Sequence, residues 1–160
     1  MSPEFRKTNQ PAVDIEITSF EALIGAKLPN SYVNFLLHHN GGKVSPEAFS
    51  IEWTDQYWAE GNDKGAVSWF FGLIDDEDVG LENNYHEFKE RIPSGTLPIA
   101  DDPGGNLLLL GLSGDRKGHI MFWVMDEEVD WEGGETPDFS NVGHLANSFE
   151  TFLSALSEPI

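Results

Sequence analysis

The segment Thr96–Leu112 reads TLPIADDPGGNLLLLGL, and it determines the class of fold that we expect for this 160-residue chain. Thr96 to Ala100 has the pattern of a short strand, and Asn106 to Leu112 has the pattern of a second one. Residues 101–106 between them consist of Asp, Pro, Gly and Asn, which favour turns. Two strands joined by so short a turn are expected to pair in the antiparallel direction.

Further strands are predicted on both sides of this segment. His119 to Val124 follows after the glycine-bounded loop Ser113 to Gly118, as in a hairpin. Upstream, Phe49 to Trp53 alternates apolar and polar residues, and Ala66 to Leu73 is rich in aromatic residues.

Four helices are predicted from apolar residues spaced three or four apart. Asp14 is a candidate N-cap, Pro29 suits a first turn, and the acidic residues 75–78 favour a helix N-terminus. The predicted helices cover about residues 14–25, 28–40, 75–91 and 144–156. The order of elements predicts an α+β fold with a single antiparallel β-sheet and helices packed mainly on one side. Residues 1–13 are expected to form a flexible N-terminal arm, and residues 14–158 a single domain.

Acidic residues dominate the charge: 28 Asp and Glu face nine Lys and Arg, which gives a net charge of −19. A domain this negative repels itself, and either solubility or a strongly basic partner would explain it. Phosphate binding needs clustered Lys and Arg, so we expect neither nucleic acid nor an anionic membrane as a ligand. The chain has no cysteine and no signal-peptide pattern, so we expect a cytoplasmic protein.

Five short motifs occur in the order that is typical of one known family. They are FE-x3-GAKLPNSY-x2-FL-x3-NGG from Phe20 to Gly42, FGL from Phe71 to Leu73, P-x3-LPIADDPGGN from Pro93 to Asn106, GHIMFW from Gly118 to Trp123, and LANSFETFL from Leu145 to Leu153. Together they make the chain, from about residue 17 to 156, resemble the SUKH superfamily. That superfamily includes a fungal regulator of cell-wall synthesis and bacterial immunity proteins.

The resemblance implies one α+β domain with a binding role and no enzymatic activity. Bacterial proteins of this kind are similar to antidotes against toxins exchanged between neighbouring cells, often nucleases or deaminases. The motif residues are expected to determine the fold, because several of them are helix caps and turns. Specificity is therefore expected in the acidic loops outside the motifs, residues 55–63 and 126–138.

No catalytic, cofactor or metal site is predicted. The chain lacks the Gly-x-Ser-x-Gly nucleophile motif, the glycine-rich nucleotide fingerprints and the spacing of zinc ligands. His38-His39 is expected at a helix end, and Arg116-Lys117 at a hairpin tip. Asp101 to Asn106 is interpreted as a turn rather than a calcium loop. For residues 126–130 a solvated loop is favoured over a weak Ca²⁺ site, and both alternatives stay open.

Acidic residues interleaved with aromatic ones form the candidate partner-binding site. Trp and Tyr anchor many protein interfaces, and surrounding charge steers the encounter with a partner. The candidate residues are Trp58, Asp75, Asp76, Glu77, Asp78, Asp126, Glu127, Glu128, Asp130, Trp131 and Glu132.

The leading hypothesis is an immunity protein that blocks a basic, nuclease-type toxin by covering it. The alternative is a regulatory scaffold similar to the fungal family member, and an enzyme ranks third. A charge of −19 per subunit opposes close self-association, and the sequence leaves the oligomeric state open.

Overall fold

The computed structural model describes residues 3–159, and these contain four α-helices and nine β-strands. The helices are α1 (Asp14–Ile24), α2 (Asn30–His38), α3 (Leu81–Phe88) and α4 (Phe149–Ala155). The strands are β1 (Glu4–Arg6), β2 (Lys43–Ser45), β3 (Ala48–Ser50), β4 (Lys64–Ala66), β5 (Trp69–Phe70), β6 (Thr96–Asp101), β7 (Leu107–Gly111), β8 (Ile120–Trp123) and β9 (Val142–Ala146). None of the helices in this part of the chain is long and apolar enough to cross a membrane.

The main sheet has five strands in the order β5-β6-β7-β8-β9, and each pair of adjacent strands is antiparallel. The segment Thr96–Leu112 supplies its centre: Leu108 lies opposite Ala100 of β6 on one side and opposite Phe122 of β8 on the other. The turn between β6 and β7 is held by Asp102, whose carboxylate accepts hydrogen bonds from the backbone N–H groups of Gly104 and Asn106. The predicted α+β class with antiparallel pairing is confirmed.

The sequence predicts a single sheet, and this prediction is wrong. The remaining strands form two small sheets of their own. One pairs β1 with β2, and the other pairs β3 with β4. Backbone hydrogen bonds connect each to the main sheet: those between Gly42 and Phe70 at one edge, and those between Glu52 and His144 at the other. At Gly41, with φ of 89°, a Cβ atom would lie 2.9 Å from the backbone of residues 70 and 72, so only glycine allows this close approach.

Phe122 and Trp123 show what covers the two faces of the main sheet. They are consecutive in β8 and therefore point to opposite faces. Phe122 contacts Phe49 of β3, which in turn contacts Phe152 of α4. Trp123 contacts Phe88 of α3 on the other face. Helices thus pack on both faces, and all residues of β7 and β8 are buried.

Two helix predictions are wrong in their bounds. The third helix begins at Leu81 instead of residue 75, because the acidic residues before it form a separate turn. The predicted start of the last helix is strand β9, which pairs with β8, and the helix begins only after Ser148. The predicted stop of the first helix at Gly25 is confirmed, since Gly25 has the left-handed conformation typical of a C-cap.

The arm predicted for residues 1–13 is attached to the domain where the structure describes it. Residues 1 and 2 lie outside the described part of the chain. Glu4–Arg6 form β1 against β2, and the ring of Phe5 lies 5.2 Å from Phe35 and 4.4 Å from His39, measured between ring centroids. The sequence of this segment is polar, so its one anchoring aromatic residue gave no strand pattern.

Candidate functional site

The acidic residues 75–78 form a closed turn in front of α3. The carboxylate of Asp76 accepts hydrogen bonds from the N–H groups of Val79 (3.0 Å) and Asp78 (2.8 Å), which lower the pKa of Asp76. Asn83 of α3 donates to the carboxylate of Asp75 at 3.1 Å. Asp76 therefore shapes the turn, while Asp75, Glu77 and Asp78 are exposed to solvent.

The second predicted cluster, residues 126–132, is fastened at the opposite end of α3. The guanidinium of Arg91 donates two hydrogen bonds to the carboxylate of Glu128, at 2.8 and 3.1 Å. This pairing raises the pKa of Arg91, and both side chains are about four-fifths buried. The same guanidinium lies 5.6 Å from the ring centroid of Trp131, which is half-buried. Glu128 and Trp131 thus hold the segment in place, whereas Asp126 and Glu127 are exposed.

Helix α3 connects the two clusters into one surface. Its eight residues span about 12 Å, with the first cluster held at its N-terminus and the second held just beyond its C-terminus. Exposed acidic residues of α3 and of the segment after it lie between the two clusters. We call this surface the acidic ridge; it consists of Asp75, Asp76, Glu77, Asp78, Glu82, Glu87, Glu90, Asp126, Glu127, Glu128, Asp130 and Glu132. It holds twelve of the 28 acids of the chain.

A groove of about 600 Å³ runs between α1 and the N-terminal end of the acidic ridge. Its apolar wall includes Phe20, Leu23 and Leu73. Carboxylates line it as well, from Glu16 on α1 and from Asp75 and Glu82 of the ridge. Such a combination suits a long cationic side chain, whose aliphatic stem packs on apolar surface while its charged end meets carboxylates.

Trp58 lies apart from the acidic ridge. Its ring contacts Trp53 at 5.4 Å, and Trp53 contacts Phe122, on the face of the sheet opposite Trp123 and Arg91. Trp58 is 43% exposed, and neighbouring Tyr57 is 82% exposed. The structure therefore joins ten of the eleven predicted site residues on one side of the molecule and leaves Trp58 on the other.

The acids that connect the two clusters were absent from the predicted site. Glu82, Glu87 and Glu90 were predicted to belong to a helix but were not assigned to a site. Glu16 on α1 was missed for the same reason. Their exposure on amphipathic helices was a usable signal, whereas the groove between α1 and α3 depends on tertiary packing and had no sequence signal.

The family model described as SMI1 / KNR4 family (SUKH-1) matches residues 11–155. The chain belongs to the SMI1/KNR4 family. It is also similar to the "SPbeta prophage-derived uncharacterized protein YokK" of Bacillus subtilis (strain 168). The two sequences are 29% identical over 156 residues, which cover 91% of this chain and 75% of that relative.

The motifs that carried the SMI1/KNR4 resemblance serve the fold. Asn40 is 2% exposed, and its side chain donates to the carbonyl of Gln10 and accepts from the N–H of Leu73. It thereby fastens the Asn-Gly-Gly motif to the Phe-Gly-Leu motif and to the N-terminal segment. The acidic residues 75–78 and 126–132 lie between these motifs.

Proposed function

We propose that this protein is an immunity protein that binds a cognate protein toxin through the acidic ridge. Binding would block the toxin by covering the substrate-binding face of the toxin. The proposal assigns no catalytic step, metal or cofactor to the chain, and it places the protein in the cytoplasm of the cell it protects. Membership of the SMI1/KNR4 family supports a binding role. The location of the ridge outside the family motifs supports a role in specificity.

The observation that carries this proposal is the continuity of negative charge along α3. Two acidic segments that are about 50 residues apart in sequence are fixed at the two ends of one short helix. The Lys and Arg of α3 and its C-terminal extension are Lys89 and Arg91, and Arg91 is already paired with Glu128. His86 of α3 lies 3.8 Å from the carboxylate of Glu82. The surface is thus available to a positively charged partner.

A nuclease-type toxin fits this surface because its substrate-binding face is basic. An acidic ridge beside an apolar groove would mimic the phosphate charge that such a face attracts. Attraction between opposite charges could raise the association rate toward about 10⁸ M⁻¹s⁻¹ at low salt. The groove would then receive a Lys or Arg side chain of the toxin, with Asp75 and Glu82 beside its charged end.

The proposal expects a gene adjacent to that of this protein to encode a toxin, and the test is protection from that toxin. The toxin is expressed in a sensitive host with the unchanged chain or with the ridge variant Asp75→Asn, Glu77→Gln, Asp78→Asn, Asp126→Asn, Glu127→Gln. We expect the unchanged chain to restore growth and the ridge variant to fail. Glu128 and Asp76 are left unchanged, because both make hydrogen bonds that shape the surface. Asp75→Asn keeps a side-chain oxygen that can accept the hydrogen bond from Asn83.

Two outcomes would contradict the proposal. Protection by the ridge variant at the level of the unchanged chain would exclude the ridge as the toxin-binding surface. If neither protein protects and neither binds the purified toxin, the immunity role itself is wrong, and the regulatory scaffold becomes the better hypothesis.

A further inference from the structure

A second groove, of opposite character, lies at the β8–β9 edge of the main sheet. It has a volume of about 430 Å³. Apolar side chains of Met121, Phe139 and Val142 line it together with Gln56. The charged and titratable side chains that face it are Glu52, Arg116, His119 and His144. In a chain with only nine Lys and Arg, this gathering of Arg and His is unusual.

Arg116 is positioned in this groove without a carboxylate partner. Its guanidinium carbon lies 3.7 Å from the ring centroid of Phe139, so the two planar groups are in contact. Within residues 3–159 its side chain forms no ion pair within 4.0 Å and no hydrogen bond, although the chain has 28 acids. An arginine held on an aromatic face keeps its N–H edge available for a planar anion.

His119 and His144 stand beside Arg116 and are also unpaired. Their ring centroids are 5.2 Å apart in an edge-to-face arrangement. Neither imidazole has a hydrogen-bond partner in the described part of the chain. Burial, followed by His144 and Arg116, lowers the pKa of His119, so this ring is neutral near pH 7. A neutral imidazole still has one N–H to donate.

We propose that this groove is a binding site for a carboxylate of a protein chain, with an adjacent apolar or aromatic group resting on Met121, Phe139 and Val142. Arg116 supplies two parallel N–H donors, and His119 and His144 supply further donors. A carboxylate suits the site better than a phosphate group. The groove holds one permanent cation and also contains Glu52, whereas phosphate binding requires several clustered cations.

The proposal goes beyond the immunity function, because it concerns another surface and a ligand of opposite charge. A partner that meets the acidic ridge with basic residues and this groove with an acidic residue would be held in one orientation. The carboxylate site can nevertheless be tested without any toxin.

The site should bind more tightly as the pH falls. Protonation of His119 adds a positive charge beside Arg116 and His144. A bound carboxylate would in turn favour the protonated form of His119. We therefore expect tighter binding at pH 5.5 than at pH 7.5.

The probe is N-acetyl-L-phenylalanine, which combines a carboxylate with an aromatic ring. Its neutral amide is the matched control, and inorganic phosphate is the competing anion. Binding is followed by NMR through the imidazole C–H resonances of His119 and His144. We expect saturable shifts with the carboxylate and little change with the amide or with phosphate.

Three variants complete the test, and thermal unfolding checks that each one is folded. Arg116→Gln should weaken probe binding about tenfold. Lys117→Gln removes the same charge from the next residue, which is exposed and does not line the groove, and should leave binding unchanged. Glu52→Gln should strengthen binding about twofold.

The proposal is wrong if the amide binds as tightly as the carboxylate. It is also wrong if phosphate shifts the two imidazoles with equal affinity, or if Arg116→Gln and Lys117→Gln have the same effect. A negative result would not contradict the proposal that the acidic ridge binds a toxin, since no ridge residue lines the groove.

Discussion

Arg91 is the residue on which the shape of the acidic ridge depends most. It binds Glu128 with two hydrogen bonds and lies over the rings of Phe88, Trp123 and Trp131. Arg91→Gln should lower the free energy of unfolding by about 2 kcal/mol, because Glu128 would be left partly buried without its partner. Urea unfolding measures the loss.

Lys89→Gln is the matched control for Arg91, since Lys89 is exposed and forms no ion pair within the described residues. It should change the free energy of unfolding by no more than about 0.5 kcal/mol. Equal effects of the two variants would show that the Arg91–Glu128 pair does not stabilise the fold.

Asp101 makes a pH-dependent contribution to stability. Burial first, and then the charge of Asp102, raise the pKa of Asp101 from 3.8 to about 6 in the folded protein. Folding therefore favours the protonated carboxyl. The cost of holding it ionised is absent below pH 4, grows as the pH rises to 6, and stays constant above that.

Asp101→Asn should remove this cost. Its advantage in unfolding free energy over the unchanged protein should be near zero at pH 4 and reach about 1 kcal/mol at pH 7, with the partial exposure of the side chain taken into account. Urea unfolding of both proteins across this range gives the difference. A difference that does not vary with pH would show that the pKa of Asp101 is not raised.

At the scale of elements, β1 attaches the N-terminal segment through Phe5. The ring is half-buried against Phe35, His39 and Phe70. Phe5→Ala should cost about 2 kcal/mol in thermal or urea unfolding, less than for a fully buried ring. Arg6→Ala, on the exposed side of the same strand, should cost less than about 0.5 kcal/mol. No difference between the two would mean that the segment is a free arm, as the sequence first predicted.

Helix α4 begins at a cap that also marks the end of β9. The hydroxyl oxygen of Ser148 accepts a hydrogen bond from the N–H of Thr151 at 3.0 Å. Ser148→Ala should therefore reduce the free energy of unfolding by about 1 kcal/mol. Ser154→Ala, an exposed change inside the same helix, should be neutral or slightly stabilising because Ala favours helix. The cap assignment fails if Ser148→Ala is as harmless in urea unfolding as Ser154→Ala.

The elements that were predicted correctly are determined by residues adjacent in sequence, and the missed elements depend on pairing with distant parts of the chain. The end of α1 at Gly25 and the turn at residues 101–106 follow from the backbone preferences of a few adjacent residues. Strands β1 and β2 have three residues each, too few to show a period, and they exist through pairing across the fold. The spacing of Leu145, Phe149 and Phe152 predicts helix for residues 144–146, whereas these residues belong to strand β9 because their pairing with β8 prevails in the structure.

At the scale of the whole molecule, the sequence located the charge but not its arrangement. Both acidic clusters were predicted, because local density of Asp and Glu is visible in any window of the chain. The position of residues 75–78 at a helix N-terminus was predicted as well. The position of residues 126–132 beyond the other end of α3 was not, since it depends on Arg91 reaching Glu128, 37 residues away in sequence. The same long-range packing creates the apolar groove beside Asp75 and separates Trp58 from the ridge.

The central claim is that the charge of the acidic ridge, rather than net charge alone, brings the toxin to this protein. The association rate with the purified toxin, measured by stopped flow over a range of salt concentrations, tests it most directly. The ridge variant with five neutralised acids is compared with a control variant that loses the same charge from other exposed positions, Glu4→Gln, Asp14→Asn, Asp115→Asn, Glu150→Gln, Glu158→Gln. We predict that the ridge variant associates about tenfold more slowly at low salt and depends less on salt, while the control stays close to the unchanged protein. Equal slowing of both variants, or of neither, would contradict the claim.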